Sequence, residues 1–220
     1  MAEPNQRLMV LLEGNIGAGK TTIGRNLDAI GAFRFIEEPT SVWQEGYAAN
    51  LLELFYRDPH RWGFTFQVNA FMTRAKTWYE IGRITSDERV ILERSIYCDR
   101  HVFAKNCYRT GLITESEYQL YMRMWEFLVP NFTDRPDLIL YLRTPAELCL
   151  ERIQARARHE ESSLPLSYLL ELEALHDEWL LDNPAAIVLD GTRTWNTTEL
   201  EATIATALAN RPAPMEAFPL

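Results

Sequence analysis

No stretch of the chain approaches the roughly eighteen consecutive apolar residues of a transmembrane helix, so a membrane-spanning protein is not expected. Positive charge is short: 22 basic residues face 31 acidic ones, leaving a formal charge of −9. Such a domain is a poor holder of nucleic acid duplex, although a small anion stays open because local geometry can outweigh net charge. Lysine is rarer still, at 3 of the 22 basic residues (Lys20, Lys76, Lys105), which fits a genome that favours Arg. Three cysteines (Cys98, Cys107, Cys149) form neither a CxxC pair nor a zinc spacing. Their odd number points to reduced thiols and a cytoplasmic setting. The four histidines (His60, His101, His159, His176) show no ligand spacing and read as structural or surface residues. Only Met1–Arg7 precede the first apolar run, so no secretory leader is expected.

What is present is an ordinary globular composition, 47% apolar and 24% charged over 220 residues, enough for one α/β domain spanning 1–220. Five short apolar runs read as strands: Leu8–Glu13, Arg34–Glu38, Arg89–Glu93, Asp137–Arg143 and Ala186–Asp190. Most are continuous rather than alternating, the pattern of a parallel sheet covered on both faces, and the intervals have room for crossover helices. The expected architecture is therefore a three-layer α/β fold. Helix starts are legible at Thr144-Pro-Ala-Glu147 and Thr114-Glu-Ser-Glu117, both capping boxes, the second opening a helix to about Phe127. Asn196 with Glu199 opens the last helix, and Ser167 is expected to cap one running to about Leu181. Arg211–Leu220, with three prolines, reads as an irregular tail.

Between the first strand and a helical pattern lies Gly14-Asn15-Ile16-Gly17-Ala18-Gly19-Lys20-Thr21, followed by Thr22; it fits G-x4-G-K-[ST]. Glycines let backbone amides close around phosphate oxygens, and the helix beginning near Lys20 points its positive end at the anion. Lys20 adds a point charge at the β- and γ-phosphates, and the Thr21 hydroxyl is placed for Mg²⁺. The motif implies a nucleoside triphosphate. There is no N-K-x-D tetrapeptide, so a guanine-reading switch is not supported.

Further residues name the acceptor. Glu37-Glu38-Pro39 leads to Trp43 after the second strand, and Glu93-Arg94-Ser95-Ile-Tyr-Cys-Asp99-Arg100 ends the third. Tyr56, Gln67 and Arg74 lie between them; Arg152, Arg156, Arg158, Glu160 and Glu161 follow, ahead of the PL-x-YL of Pro165–Leu169. Together these resemble the deoxyribonucleoside kinases over roughly residues 8 to 190, and most nearly the deoxycytidine, deoxyguanosine and deoxyadenosine kinase branch. The resemblance implies a five-stranded parallel sheet, a homodimer through helices near Phe64–Ile81 and Glu115–Phe127, and phosphoryl transfer from ATP with Mg²⁺ to a nucleoside 5′-hydroxyl.

A carboxylate at the end of the second strand faces the crevice where α/β sheets bind ligands. The resemblance selects Glu38, rather than Glu37, as the base that takes the 5′-hydroxyl proton. Arg94 would hold the 5′-hydroxyl side and offset developing phosphate charge, and Glu93, with Thr21, would act on Mg²⁺. Arg152 and Arg156 share a helix face and, with Arg158, match the family's mobile arginine-rich lid, here about residues 152–161; Arg156 is the residue to stack on the donor adenine. Tyr56 and Glu161 match the grip on the deoxyribose 3′-hydroxyl. Gln67, Arg74 and Asp99 match the base readers: an ionised Asp99 accepts from an exocyclic amine and repels the carbonyl of thymine. That implies deoxyadenosine, deoxycytidine or deoxyguanosine; Ala70 fits the deoxycytidine kinases better than the deoxyguanosine kinases. Trp43 and Phe71 are expected to wall the base pocket, with Phe103 less directly. The rival reading is a kinase of nucleoside monophosphates, in which Arg94 and Arg100 would clamp an acceptor phosphate. A nucleotide-binding protein without chemistry is a further alternative, opposed by the retained Lys20, Glu38, Glu93 and Arg94.

Overall fold

The apolar runs are continuous because the central strands are covered on both faces. The computed structural model describes residues 8–83, 88–132 and 135–210; the tail expected over 211–220 lies outside them. Strands β1 (Leu8–Glu13), β2 (Arg34–Ile36), β3 (Arg89–Glu93), β4 (Leu138–Arg143) and β5 (Ala186–Asp190) form one sheet in the order β2-β3-β1-β4-β5. Every pairing is parallel, with Leu8 opposite Arg89 and Val10 opposite Leu138. The helices are α1 (Lys20–Ala29), α2 (Thr40–Glu45), α3 (Leu51–Arg57), α4 (Pro59–Ile81), α5 (Ile96–Cys98), α6 (Lys105–Arg109), α7 (Glu115–Phe132), α8 (Ala146–Arg156), α9 (Leu166–Leu180) and α10 (Thr197–Ala209).

Alternation along β1 splits the core in two. Val10 and Leu12 face α1, α8, α9 and α10, while Met9 and Leu11 face the aromatic wall of α4 and α7 (Phe71, Trp78, Tyr121, Trp125). A third cluster, around Trp43, Phe55, Phe66 and Ala70, sits under α2–α4. The result is a three-layer α/β fold around a five-stranded parallel sheet, as expected.

Two of the four expected helix starts hold as capped. The Thr114 box closes both ways: Glu117 N donates to Thr114 Oγ1 at 3.3 Å and Thr114 N to Glu117 Oε2 at 2.7 Å. That helix then runs through Pro130 to Phe132, beyond the expected Phe127. Asn196 Oδ1 caps α10, accepting from Thr198 N at 2.9 Å and Glu199 N at 3.4 Å. The Thr144 box does not form. Thr144 Oγ1 donates instead to Ala18 O (3.2 Å), and Ala146 N donates to Glu173 Oε2 (2.7 Å) from α9, so tertiary partners displace the local cap. Ser167 is no cap either: α9 starts at Leu166, after Pro165. β2 stops at Ile36, short of the expected Glu38, where Thr40 N turns back to Glu38 O at 2.7 Å. One element has no local signature: residues Asp99–Ala104 form a π-helical turn between α5 and α6.

Candidate active site

The carboxyl ends of β1, β2 and β3 open into a cleft of about 800 Å³. Sheets of this topology bind ligands there, where the connections diverge to opposite sides of the first strand. At one end stands the glycine loop. Gly14 has φ +146°, and a Cβ on it would sit 2.6 Å from Leu142 O; Gly17 has φ +77° and would meet Cys149 O at the same 2.6 Å. Ile16 to Thr22 line the cleft, whereas Gly14 and Asn15 form the underside of the loop. Asn15 Nδ2 donates to Leu169 O and Ile16 N donates to Asn15 Oδ1, each at 2.8 Å, so this side chain fastens the loop to α9 rather than facing a phosphate. Lys20 Nζ donates to Asn15 O (2.8 Å) and Gly14 O (3.1 Å). Burial, together with the nearby Arg94 charge, brings its ammonium down to about 8.

Thr21 Oγ1 donates to both oxygens of Glu93, at 2.9 and 3.0 Å. Burial raises the Glu93 carboxyl, against the pull of Lys20. A buried carboxylate and a hydroxyl converging at the mouth of a phosphate loop are the hard oxygen donors that Mg²⁺ takes, the remainder coming from phosphates and water.

The second strand's two acids part company. Glu37 is 47% exposed and pairs with Arg25 at 2.8 Å. Glu38 is 15% exposed and lies between two arginines, hydrogen-bonded by Arg74 and 3.1 Å from Arg94 Nε. Burial alone would raise the Glu38 carboxyl, but Arg94, Arg74 and Lys20 together hold it down to about 2. Arg94 lies over the Phe103 ring, with its guanidinium carbon 4.7 Å from the centroid. Its backbone takes φ +62°, a left-handed conformation that costs a non-glycine residue about 1–2 kcal/mol. Arg94 N donates to Leu12 O at 3.0 Å, which holds the turn in place.

Helix α4 supplies the far wall. Gln67, Ala70 and Arg74 follow at three and four residues and line one stripe of the cleft. Arg74 hydrogen-bonds Asp99 as well as Glu38, and lies 4.9 Å from the Trp43 ring. The π-helical turn begins at Asp99 and keeps it fully buried. Asp99 Oδ2 and Gln67 Oε1 are buried without hydrogen-bond partners and belong to cleft-lining residues. Burial pushes the Asp99 carboxyl up to about 6 in spite of Arg74. Tyr56 also lines the cleft, its phenol driven up by burial and by Glu161.

The arginines after β4 have partners within the protein. Arg152 donates to Ala18 O (2.8 Å) and Gly191 O (3.0 Å), while Arg156 and Arg158 both bond the buried Glu161. Every residue of the expected site lines the cleft except Gly14, Asn15 and Phe71. Phe71 does not line it: it is fully buried against Tyr121, and Phe55 and Phe66 stand beside Trp43 instead. Arg100 is outside the cleft, its guanidinium carbon 4.2 Å over Trp125. Sequence reasoning missed Glu13, fully buried at the end of β1, as well as Tyr168, Arg193 and Trp195 on the cleft wall. A strand-end acid directly before the glycine loop was the available signal for Glu13, and the PL-x-YL pattern of Pro165–Leu169 was the one for Tyr168; Arg193 and Trp195 carried none.

A phosphate loop after the first strand of this parallel sheet, opening into a cleft of about 800 Å³ that also gathers Glu38, Arg74, Glu93 and Arg94, marks an ATP-dependent P-loop kinase. The Deoxynucleoside kinase family model matches residues 10–210, and the chain belongs to that family. It is 35% identical over 175 residues to a probable deoxycytidine kinase of Fowlpox virus, covering 79% of this chain and 72% of the relative. It is 38% identical to the mitochondrial deoxyguanosine kinase of Xenopus laevis (77% of this chain, 71% of that one). It is 34% identical to the mitochondrial thymidine kinase 2 of Homo sapiens (81% and 66%). The monophosphate-kinase and non-catalytic readings are not favoured by these matches. Among the described residues, no helix is long and apolar enough to cross a membrane.

Proposed function

We propose that the protein phosphorylates the 5′-hydroxyl of a deoxynucleoside whose base carries an exocyclic amine, deoxyadenosine or deoxycytidine foremost and deoxyguanosine included. The observation that carries this reading is the pair of buried, unpartnered acceptors, Asp99 Oδ2 and Gln67 Oε1, on the cleft wall beside Arg74. An unsatisfied buried acceptor is costly, and a donor on the ligand relieves it. An exocyclic amine brings two N–H donors to the two acceptors; thymine brings only its N3–H, flanked by two carbonyls.

Glu38 takes the 5′-hydroxyl proton as that oxygen attacks the γ-phosphorus, whose bond to the β–γ bridging oxygen breaks to release ADP. Its low proton affinity is no obstacle, because the transition state is loose and the proton leaves late. Arg94 fixes the Glu38 carboxylate and faces the charge that develops on the transferring group. Tyr56 and Glu161 hold the 3′-hydroxyl, and Tyr56 fills the room a 2′-hydroxyl would need. Lys20 and the loop amides hold the donor phosphates. Residues 152–161 act as a lid whose Arg152, Arg156 and Arg158 turn to those phosphates and exclude water, with Arg156 against the donor adenine. Thr21 and Glu93 would hold Mg²⁺, which supplies charge neutralisation across the donor phosphates.

A steady-state acceptor panel with ATP and Mg²⁺ tests the reading. Deoxyadenosine or deoxycytidine should give the highest kcat/KM, with thymidine at least about 10²-fold lower. Thymidine as the best acceptor would overturn the base assignment, and turnover of monophosphates alone would overturn the choice of acceptor.

The reading extends to assembly and setting. Met72 and Tyr79 on α4 and Leu120 and Phe127 on α7 are 46–63% exposed on helices that pack together, which supports a homodimer through this face. The three buried free cysteines fit a reducing compartment, and the cytoplasm is the proposed setting.

A further inference from the structure

Two adjacent glutamates end the lid segment and face opposite ways. Glu161 points into the cleft and takes Arg156 and Arg158. Glu160 points to the acceptor-side helices: its Oε1 accepts from Gln44 Nε2 and from Asn50 Nδ2, each at 2.9 Å. Gln44 lies on α2 beside Trp43. Asn50 caps α3, the helix that carries Tyr56, and its Oδ1 accepts from Glu53 N at 3.0 Å, leaving the amide nitrogen for Glu160. The backbone between α8 and α9 is a poor support for this segment. Helix α8 ends at Arg156, Ala157 takes φ +53°, and residues His159–Glu161 make a single 3-10 turn.

We propose that Glu160 is a positioning residue that fastens the lid to the helices around the nucleoside, so that seating the acceptor under Tyr56 sets the lid arginines for the donor. The charge-assisted bonds to two neutral amides are short and directional, and they join the one turn that carries Glu161 to the two helices that carry Trp43 and Tyr56. Ordering either partner orders the other, and the coupling is reciprocal: each substrate tightens the binding of its companion. This inference rests on the lid and acceptor roles proposed above.

The test swaps the bonding partners in the full chain. N50D keeps the oxygen that caps α3 but loses the amide donor and sets a carboxylate against Glu160. E160Q added to N50D returns a donor across the same contact. Calorimetry measures the Kd of adenylyl imidodiphosphate with Mg²⁺, with and without the deoxynucleoside that the acceptor panel ranks first. In the native chain the acceptor should tighten donor binding at least ~5-fold. N50D should bring that factor below ~2-fold while changing the donor Kd without acceptor less than ~2-fold, and N50D/E160Q should restore it. If N50D does not fold, E160A, remote from the cap of α3, reads the same loss.

No coupling in the native chain, full coupling in N50D or E160A, or no recovery in the double variant overturns the proposal. Failure of the broader reading is separate: it appears as a native chain that turns over no deoxynucleoside at all.

Discussion

The two ends of the cleft are built from different materials. At the proposed phosphate end, recognition would be a property of the main chain: a run of eight residues, Gly14–Thr21, is held in a loop by the bonds of Asn15 and Lys20. At the proposed nucleoside end, recognition would come from side chains delivered by separate elements: Glu38 after β2, Tyr56 on α3, Gln67 and Arg74 on α4, and Asp99 on the π-helical turn. Backbone tolerates almost no substitution where a methyl group has nowhere to go. Side chains can be exchanged one at a time. The contrast implies an end that is fixed and an end whose preference is tunable.

The largest effect expected is chemical. Glu38→Gln should lower kcat by about 10²–10⁴-fold while leaving the acceptor KM within a few-fold, measured at saturating ATP. Unchanged activity would remove Glu38 from the role of base. Next comes the fixed end: Gly14→Ala drives a Cβ against Leu142 O, 2.6 Å away, and should cost about 2–4 kcal/mol in urea denaturation. A neutral result would show that the loop has slack. At the tunable end, Asp99→Ala should cut kcat/KM for amino-bearing deoxynucleosides about 10²-fold and narrow the gap to thymidine.

A pH profile reads both ends at once. Asp99 accepts at both oxygens only while ionised, and burial sets its carboxyl at about 6, so in the proposed role kcat/KM for amino-bearing acceptors falls as pH drops through that value. Lys20 attracts phosphate only while protonated, and burial sets its ammonium at about 8, so ATP affinity falls as pH rises through that value. Asp99→Asn should abolish the acid limb alone and Lys20→Arg the alkaline limb alone. The smallest effect is Ala70→Val, which should shift the preference among bases by about 1–3 kcal/mol.

The same contrast governs what could be read from the residues. The phosphate end was legible because its chemistry is contiguous, and the strands because parallel burial leaves unbroken apolar runs. The side-chain end needed family resemblance. Glu37 and Glu38 are indistinguishable as strand-end acids; only the turn after Ile36 sends one to solvent and the other between Arg74 and Arg94. The Thr144 box failed because Ala18 O and Glu173, distant in sequence, offered better partners than the helix's own first turn. Phe71 and Phe66 both sit on the buried face of α4, and no periodicity says which points into the cleft and which into Tyr121. The π-helical turn at Asp99 leaves no trace in composition, yet it fixes the depth of that carboxylate.

The strand order bears on how the chain is made. β1 leaves the ribosome first among the strands, but its two neighbours in the sheet are β3 and β4, and Leu8 meets its partner Arg89 only 81 residues later. At about 5–20 residues per second, that interval lasts roughly 4–16 s. Throughout it, Leu-Met-Val-Leu-Leu stays without a partner on either edge, while α1 and the glycine loop have already emerged. The segment at the centre of the finished sheet is therefore the one that a nascent chain must shelter longest, and it is where a holding chaperone would find its grip.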